Sequence, residues 1–109
     1  MEPKLVRHAE GLASTALPGL IRRTMAWGER IMLLENTFEP GAEMATHVHP
    51  HEQLTYVVSG EIDILVGDET YHLEPGDSLL LPSNCPHGVH TPTGTVVIDV
   101  FSPPREEFK

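Results

Sequence analysis

Turn signals break this sequence at short intervals: PG at 18–19, WGER at 27–30, EPG at 39–41, SGE at 59–61, VGDE at 66–69, EPGD at 74–77 and PTGT at 92–95. Between them lie short runs rich in β-branched and aliphatic residues: RIMLLENTF, LTYVV, IDILV, TYHL, SLLL and TVVIDVF. Runs this short and this often interrupted are not ordinary helices, and they leave no room for the helical crossovers of a parallel sheet. The spacing predicts an all-β fold, a sandwich or small barrel of antiparallel strands. AEGLAST near residue 9 is expected to make a helical turn at most, and the tail PPREEFK to be irregular. A chain of 109 residues has the length of one domain that buries roughly 60–70% of its unfolded surface. The reading is a single domain over 1–109, with a short N-terminal arm about 1–18 and a C-terminal tail about 103–109.

Charge narrows the partners. Seven Lys and Arg against sixteen Asp and Glu give a formal net charge of −9, the wrong sign for a phosphate backbone or an anionic membrane surface. No nucleic-acid or membrane partner is expected, and no apolar run approaches the length that spans a bilayer. Cys85 is the one cysteine, so no intrachain disulfide can form, and no basic leader opens the sequence. These features predict a reduced, cytoplasmic protein.

The stretch HVHPHEQ, residues 47–53, carries the densest chemistry. His47 and His49 alternate by two, so on an extended strand both imidazoles point to one face, either as a chelating pair or as two exposed side chains. Pro50 is expected to end that strand, which leaves His51 either outward or supporting the ligands rather than a ligand itself, while Gln53 opens the next apolar run. His87, in LPSNCPHGV, sits in a loop stiffened by two prolines before another short strand. Neutral imidazole suits Zn, Ni, Cu, Co, Fe and Mn, and three imidazoles on neighbouring strands would make a divalent site. His8, His72 and His90 lack a ligand partner at strand spacing and read as surface or supporting groups.

Alternation in TVVIDVF sets Val97, Asp99 and Phe101 on one face, so Asp99 interrupts an apolar strand and needs a partner or a function. Pro103 and Pro104 stiffen the chain before Arg105, whose planar fork suits a carboxylate ligand, or an ion pair with Glu106 or Glu107. In QLTYVV both faces carry apolar groups, Leu54, Tyr56 and Val58 against Thr55 and Val57, which predicts a covered outer face and a homodimer. Trp27 and Tyr56 offer aromatic faces to a ligand, or pack in a core or interface.

Two stretches resemble the signature motifs of the cupin superfamily: Gly41 through His47, His49 and Gln53 to Gly60, and Gly76 through Pro82 and Asn84 to His87. The resemblance implies a jelly-roll-like antiparallel β-barrel and assigns His47, His49, Gln53 and His87 to one divalent transition metal ion, Ni, Zn, Mn, Fe or Co. Gln53 stands where most cupins carry glutamate. A neutral amide there leaves the ion's charge less compensated and makes it a stronger Lewis acid; alternatively, Gln53 hydrogen-bonds nearby without coordinating. With VIDVFSPPREEF at 97–108, the chain is similar to the pectin-degradation cupins of the KdgF type. That resemblance implies conversion of 4,5-unsaturated monouronates, left by pectin or alginate lyases, into the linear 5-keto-4-deoxyuronate. It makes Asp99, Phe101 and Arg105 the catalytic set and a small anionic sugar the substrate. A three-histidine dioxygenase and a non-catalytic sugar-binding cupin are the alternatives.

Overall fold

A computed structural model describes residues 2–109. They form ten strands: β1 Leu12–Leu17, β2 Leu20–Trp27, β3 Met32–Phe38, β4 Glu43–His47, β5 Glu52–Gly60, β6 Ile62–Val66, β7 Glu69–Leu73, β8 Ser78–Leu81, β9 His87–His90 and β10 Thr95–Ser102. Among the described residues the only helical pieces are 3-10 turns at His8–Glu10 and Glu106–Phe108. One sheet has six strands in the order β1-β2-β3-β10-β5-β8, and the other has four in the order β4-β9-β6-β7. Neighbouring strands run antiparallel. The all-β, jelly-roll-like expectation is therefore met, and IDILV and SLLL coincide with β6 and β8 residue for residue.

Both ends pack onto the sheets. Within the N-terminal arm, Leu12–Leu17 is an edge strand paired with β2 from Leu12 opposite Thr24 to Leu17 opposite Leu20. Strand β2 itself falls outside the predicted runs. Its inward residues, Leu20, Arg22 and Thr24, set an arginine between two buried positions, which breaks the apolar alternation that marks a strand. The C-terminal tail is anchored: Thr24 Oγ1 donates to the Phe108 carbonyl at 2.7 Å, and Phe108 packs on Met32, Leu34 and Phe101.

The period of two in each strand builds an interior in which buried polar side chains are interleaved with apolar ones. On β3 the buried positions are Met32, Leu34, Asn36 and Phe38; on β10, Thr95, Val97, Asp99 and Phe101; on β5, Gln53, Thr55 and Val57. The apolar members gather in two clusters, a larger one around Phe38, Val57, Ile62, Ile64, Leu81 and Val97 and a smaller one of Met32, Leu34 and Phe101. Each fully buried Leu, Ile or Val contributes about 1.5–3 kcal/mol. The two clusters thus offset the expense of the polar set Asn36, Gln53, Thr55 and Asp99.

Strand β5 closes on Gly60, whose φ of 73° is one that L side chains rarely adopt. A Cβ there would collide with the Gly94 carbonyl oxygen and lie 2.8 Å from the Thr95 Cα, backbone that cannot swing aside. Gly60→Ala is expected to lower stability by about 1–3 kcal/mol, the usual range for one strained backbone position. Denaturant unfolding checks this, and an unchanged midpoint and slope would refute the steric reading.

Candidate metal centre

Three imidazoles converge inside the barrel. His47 ends β4 and His87 begins β9, where the two are direct cross-strand partners with ring centroids 4.4 Å apart. His49 lies past the end of β4, so the expectation that strand alternation holds both residues of the pair is corrected: the strand stops at His47, before Pro50. The His49 ring nonetheless comes within 5.7 Å of His47 and 5.1 Å of His87, centroid to centroid. One ring nitrogen from each of the three lies within 4.8 Å of the others.

The backbone sets their tautomers. His47 Nδ1 lies 3.1 Å from the Ala45 carbonyl, His49 Nδ1 3.0 Å from that of His51, and His87 Nδ1 2.8 Å from that of Cys85. A carbonyl only accepts, so each Nδ1 carries the hydrogen and each Nε2 is left with a bare lone pair. Burial, then the charge of Arg105, lowers the His49 pKa to about 4, and burial lowers that of His87, so both rings favour the neutral form that binds metals. His51 serves the group through its carbonyl, with its own ring 5.5 Å from that of His49.

Gln53 completes the arrangement. Its Nε2 donates to Thr55 Oγ1 at 3.0 Å and to Asp99 Oδ1 at 3.1 Å, which turns Oε1 toward His49 Nε2, 3.0 Å away. A neutral His49 that donates through Nδ1 leaves two acceptors facing each other, an arrangement that a cation between them relieves. The donor set therefore fits a divalent ion: three bare imidazole nitrogens and an amide oxygen, each oriented through its other polar atom.

Asp99 is 6% exposed and accepts from Thr55 Oγ1 at 2.6 Å, Gln53 Nε2 at 3.1 Å and Asn36 Nδ2 at 2.6 Å. Its neighbours are these donors, with Gln53 linking it to the histidines. Burial raises its pKa, against the lowering effect of the three hydrogen bonds. Phe101 sets its ring edge-on to His49 at 5.5 Å. Arg105 makes the ion pair foreseen as its alternative role, Nε to Glu107 Oε1 at 2.7 Å, while its guanidinium lies over Phe101 at 5.1 Å and Phe108 at 4.4 Å. It also lines a cavity of about 410 Å³ shared with His47, His87, Gln53, Asp99 and Phe101.

Sequence reasoning missed Asn36, Thr55, Arg22 and Phe108, which all line that cavity. Asn36 was open to discovery, because it interrupts the inward row Met32, Leu34, Phe38 as Asp99 interrupts its own strand. The remaining histidines lie elsewhere. His8 pairs with Glu35, and His72 lies 2.7 Å from Asp63 and 3.2 Å from Glu61, bonds that hold its pKa above the usual histidine value. His72, Glu61 and Glu74 also lie close enough to share an ion, but on the outer surface, where imidazolium–carboxylate pairing accounts for the contacts.

The amide at position 53 also has a reason in its neighbour Asp99. A glutamate would bring a second carboxylate to within 3.1 Å of Asp99, where like charges cannot both ionise freely. Gln53→Glu is therefore expected to raise the Asp99 pKa further, and an Asp99 carboxyl that titrates as in wild type by carbon-detected NMR would refute this coupling.

A cupin domain family model matches residues 34–101. The pectin degradation protein KdgF of Dickeya dadantii (strain 3937) is 34% identical over 92 residues, covering 83% of this chain and 84% of that protein. Among solved structures, KdgF from Halomonas sp. superposes with a TM-score of 0.92 at 29% identity, over 99% of this chain and 100% of that one. An RmlC-like cupin from Shewanella frigidimarina gives 0.91 at 33% identity, over 99% and 97%.

Proposed function

The chain belongs to the cupin domain family, and on that premise we propose that it opens the ring of 4,5-unsaturated monouronates to give the linear 5-keto-4-deoxyuronate. The observation that carries this reading is the coupling of a metal-ready donor set to a buried carboxylate: Gln53 offers Oε1 to the histidine cluster and Nε2 to Asp99. The KdgF relative is named for pectin degradation, and lyases that cut pectin release such uronates. His47, His49, His87 and Gln53 would hold one divalent ion, Ni, Zn, Mn, Fe or Co. When bound, such an ion supplies Lewis-acid stabilisation of negative charge on a substrate oxygen.

The rest falls to side chains. Asp99 accepts the proton of the C1 hydroxyl as the bond from C1 to the ring oxygen breaks, and returns a proton to C4 as the enolate becomes the C5 ketone. A raised pKa suits it to both tasks, because its acid and base forms lie closer in energy at neutral pH. Thr55 and Asn36 hold the carboxyl in place. Phe101 walls the sugar and limits water, and Arg105, whose Nε is taken by Glu107, turns its Nη edge to the substrate carboxylate. Atoms balance without an oxidant.

Two subsidiary readings accompany the reaction. Leu54, Tyr56, Val58 and Leu80 are each about half exposed on the outer face of β5 and β8, a surface suited to a second copy of the chain; sedimentation would report the dimer. Cys85 is unpaired, in keeping with a reducing cytoplasm, and no helix among the described residues is long and apolar enough to cross a membrane.

The test is proton NMR of the metal-loaded protein with an unsaturated monouronate in oxygen-free buffer. Loss of the ring alkene signal faster than the spontaneous rate supports isomerisation. Conversion only when oxygen is admitted would replace it with dioxygenase chemistry, and binding without conversion would leave a sugar-binding module.

A further inference from the structure

Arg22 sits on the inward face of β2, between the buried Leu20 and Thr24 and directly opposite Asn36 on β3. A guanidinium in that position ordinarily finds a carboxylate. Among the described residues none lies within ion-pair distance of Arg22, and its one hydrogen bond is a long one, Nη2 to Ser14 Oγ at 3.4 Å. The guanidinium stacks instead on the Phe108 ring, 3.8 Å from the centroid, and the same ring carries Arg105 at 4.4 Å. Two cations thus share one aromatic ring and one cavity wall, with Glu107, already bonded to Arg105 Nε, the nearby counter-charge. Burial first, and Arg105 second, make the charge on Arg22 less favourable than on an ordinary arginine. Facing this pair, Asn36 Oδ1 is buried and has no hydrogen-bond partner, although its Nδ2 is committed to Asp99. The wall holds surplus positive charge and an idle acceptor, with the proton-carrying carboxylate one residue beyond.

We infer that Arg22 and Arg105 form a two-guanidinium subsite for a substrate carboxylate, with Asn36 Oδ1 accepting a hydrogen bond from a hydroxyl of the same molecule. That the acid is an unsaturated uronate rests on the function proposed above; that the subsite takes a sugar acid rather than a neutral sugar does not. Two planar forks can grip both oxygens of a carboxylate, which also relieves the repulsion between the arginines. Arg22 is then a binding and specificity residue, and Asn36 ties the bound sugar to the position of Asp99.

The experiment compares wild type, Arg22→Gln and Arg22→Lys, each verified as folded by circular dichroism and loaded with metal. Kinetics on the unsaturated monouronate should show KM raised about 10–100-fold in Arg22→Gln, the factor expected for one charge-assisted hydrogen-bonded contact, with kcat changed far less. Arg22→Lys, which keeps the charge and loses the fork, should fall between. In parallel, calorimetry with galacturonate and galactose as unreactive probes should show the acid preferred by wild type and that preference diminished in Arg22→Gln. An unchanged KM and an unchanged preference for the acid in Arg22→Gln would overturn the subsite, as would a wild type that binds galactose as well as galacturonate. Failure of the reaction itself reads differently: the unsaturated uronate would go unconverted by wild type, while the calorimetric comparison would still decide whether Arg22 grips a carboxylate.

Discussion

Asp99→Asn is expected to lower turnover of an unsaturated monouronate by about 10²-fold or more, the scale of losing a positioned acid–base group. The substitution is a gentle one. An amide has nearly the carboxylate's shape, and its oxygen can still accept from Thr55 Oγ1 and Gln53 Nε2, as Oδ1 does now. Its new NH₂ would face Asn36, whose Oδ1 is idle and can take that hydrogen bond once the Asn36 amide turns over. The interior polar set therefore stays satisfied, Gln53 keeps its orientation, and metal content is expected to match wild type. What the variant cannot do is carry a proton. KM should change less than kcat, since the loss falls on the reacting step rather than on binding. Turnover, metal analysis and thermal unfolding on the same preparation check the set.

Loss of the metal should have the other large effect. Chelation is expected to reduce ring opening to the spontaneous rate, and restoring one divalent ion per chain should recover it. His49→Ala should weaken metal retention by more than about 100-fold, beyond the 10–100-fold range for disturbing a group that merely orients a ligand. It removes one of three bare nitrogens and frees Gln53 Oε1 from the acceptor that faces it. Proton competition at His49 should be modest, because the ring's pKa of about 4 keeps it neutral at ordinary pH, with burial as the leading cause. Protonation of this ring should therefore set in only as the pH falls toward that value, which proton NMR of its imidazole signals in metal-free protein checks against an onset near the ordinary histidine pKa of about 6.5.

Much of this was legible in the sequence because strand alternation and turn chemistry are local. LTYVV, IDILV, SLLL and TVVIDVF declare short strands, and the same alternation exposes Asp99 as a carboxylate in an apolar row. Gln53 likewise falls inward with Thr55 and Val57. The rest depends on which strands meet. Nothing near residue 22 says that β2 lies beside β3, so Arg22 carries no signal of its own until the register sets it opposite Asn36. Phe108 matters only because the tail folds back onto Thr24. The His47 and His49 pair was foreseen for an incomplete reason: β4 ends at His47, and the carbonyl of His51 helps orient the second ring. The orienting carbonyls of Ala45, His51 and Cys85 carry no side-chain signature, so only the folded backbone reveals them.

In the proposed reaction the histidine cluster with Gln53 holds the ion and Asp99 works beside it. The direct measurement is a metal titration of metal-free protein, followed by proton NMR of the alkene signal of an unsaturated monouronate at each point. The expected result is a spontaneous rate without metal and a linear rise that breaks at about one ion per chain, with Asp99→Asn binding the same single equivalent and staying slow throughout. Full-rate loss of the alkene signal by protein verified as metal-free would contradict it.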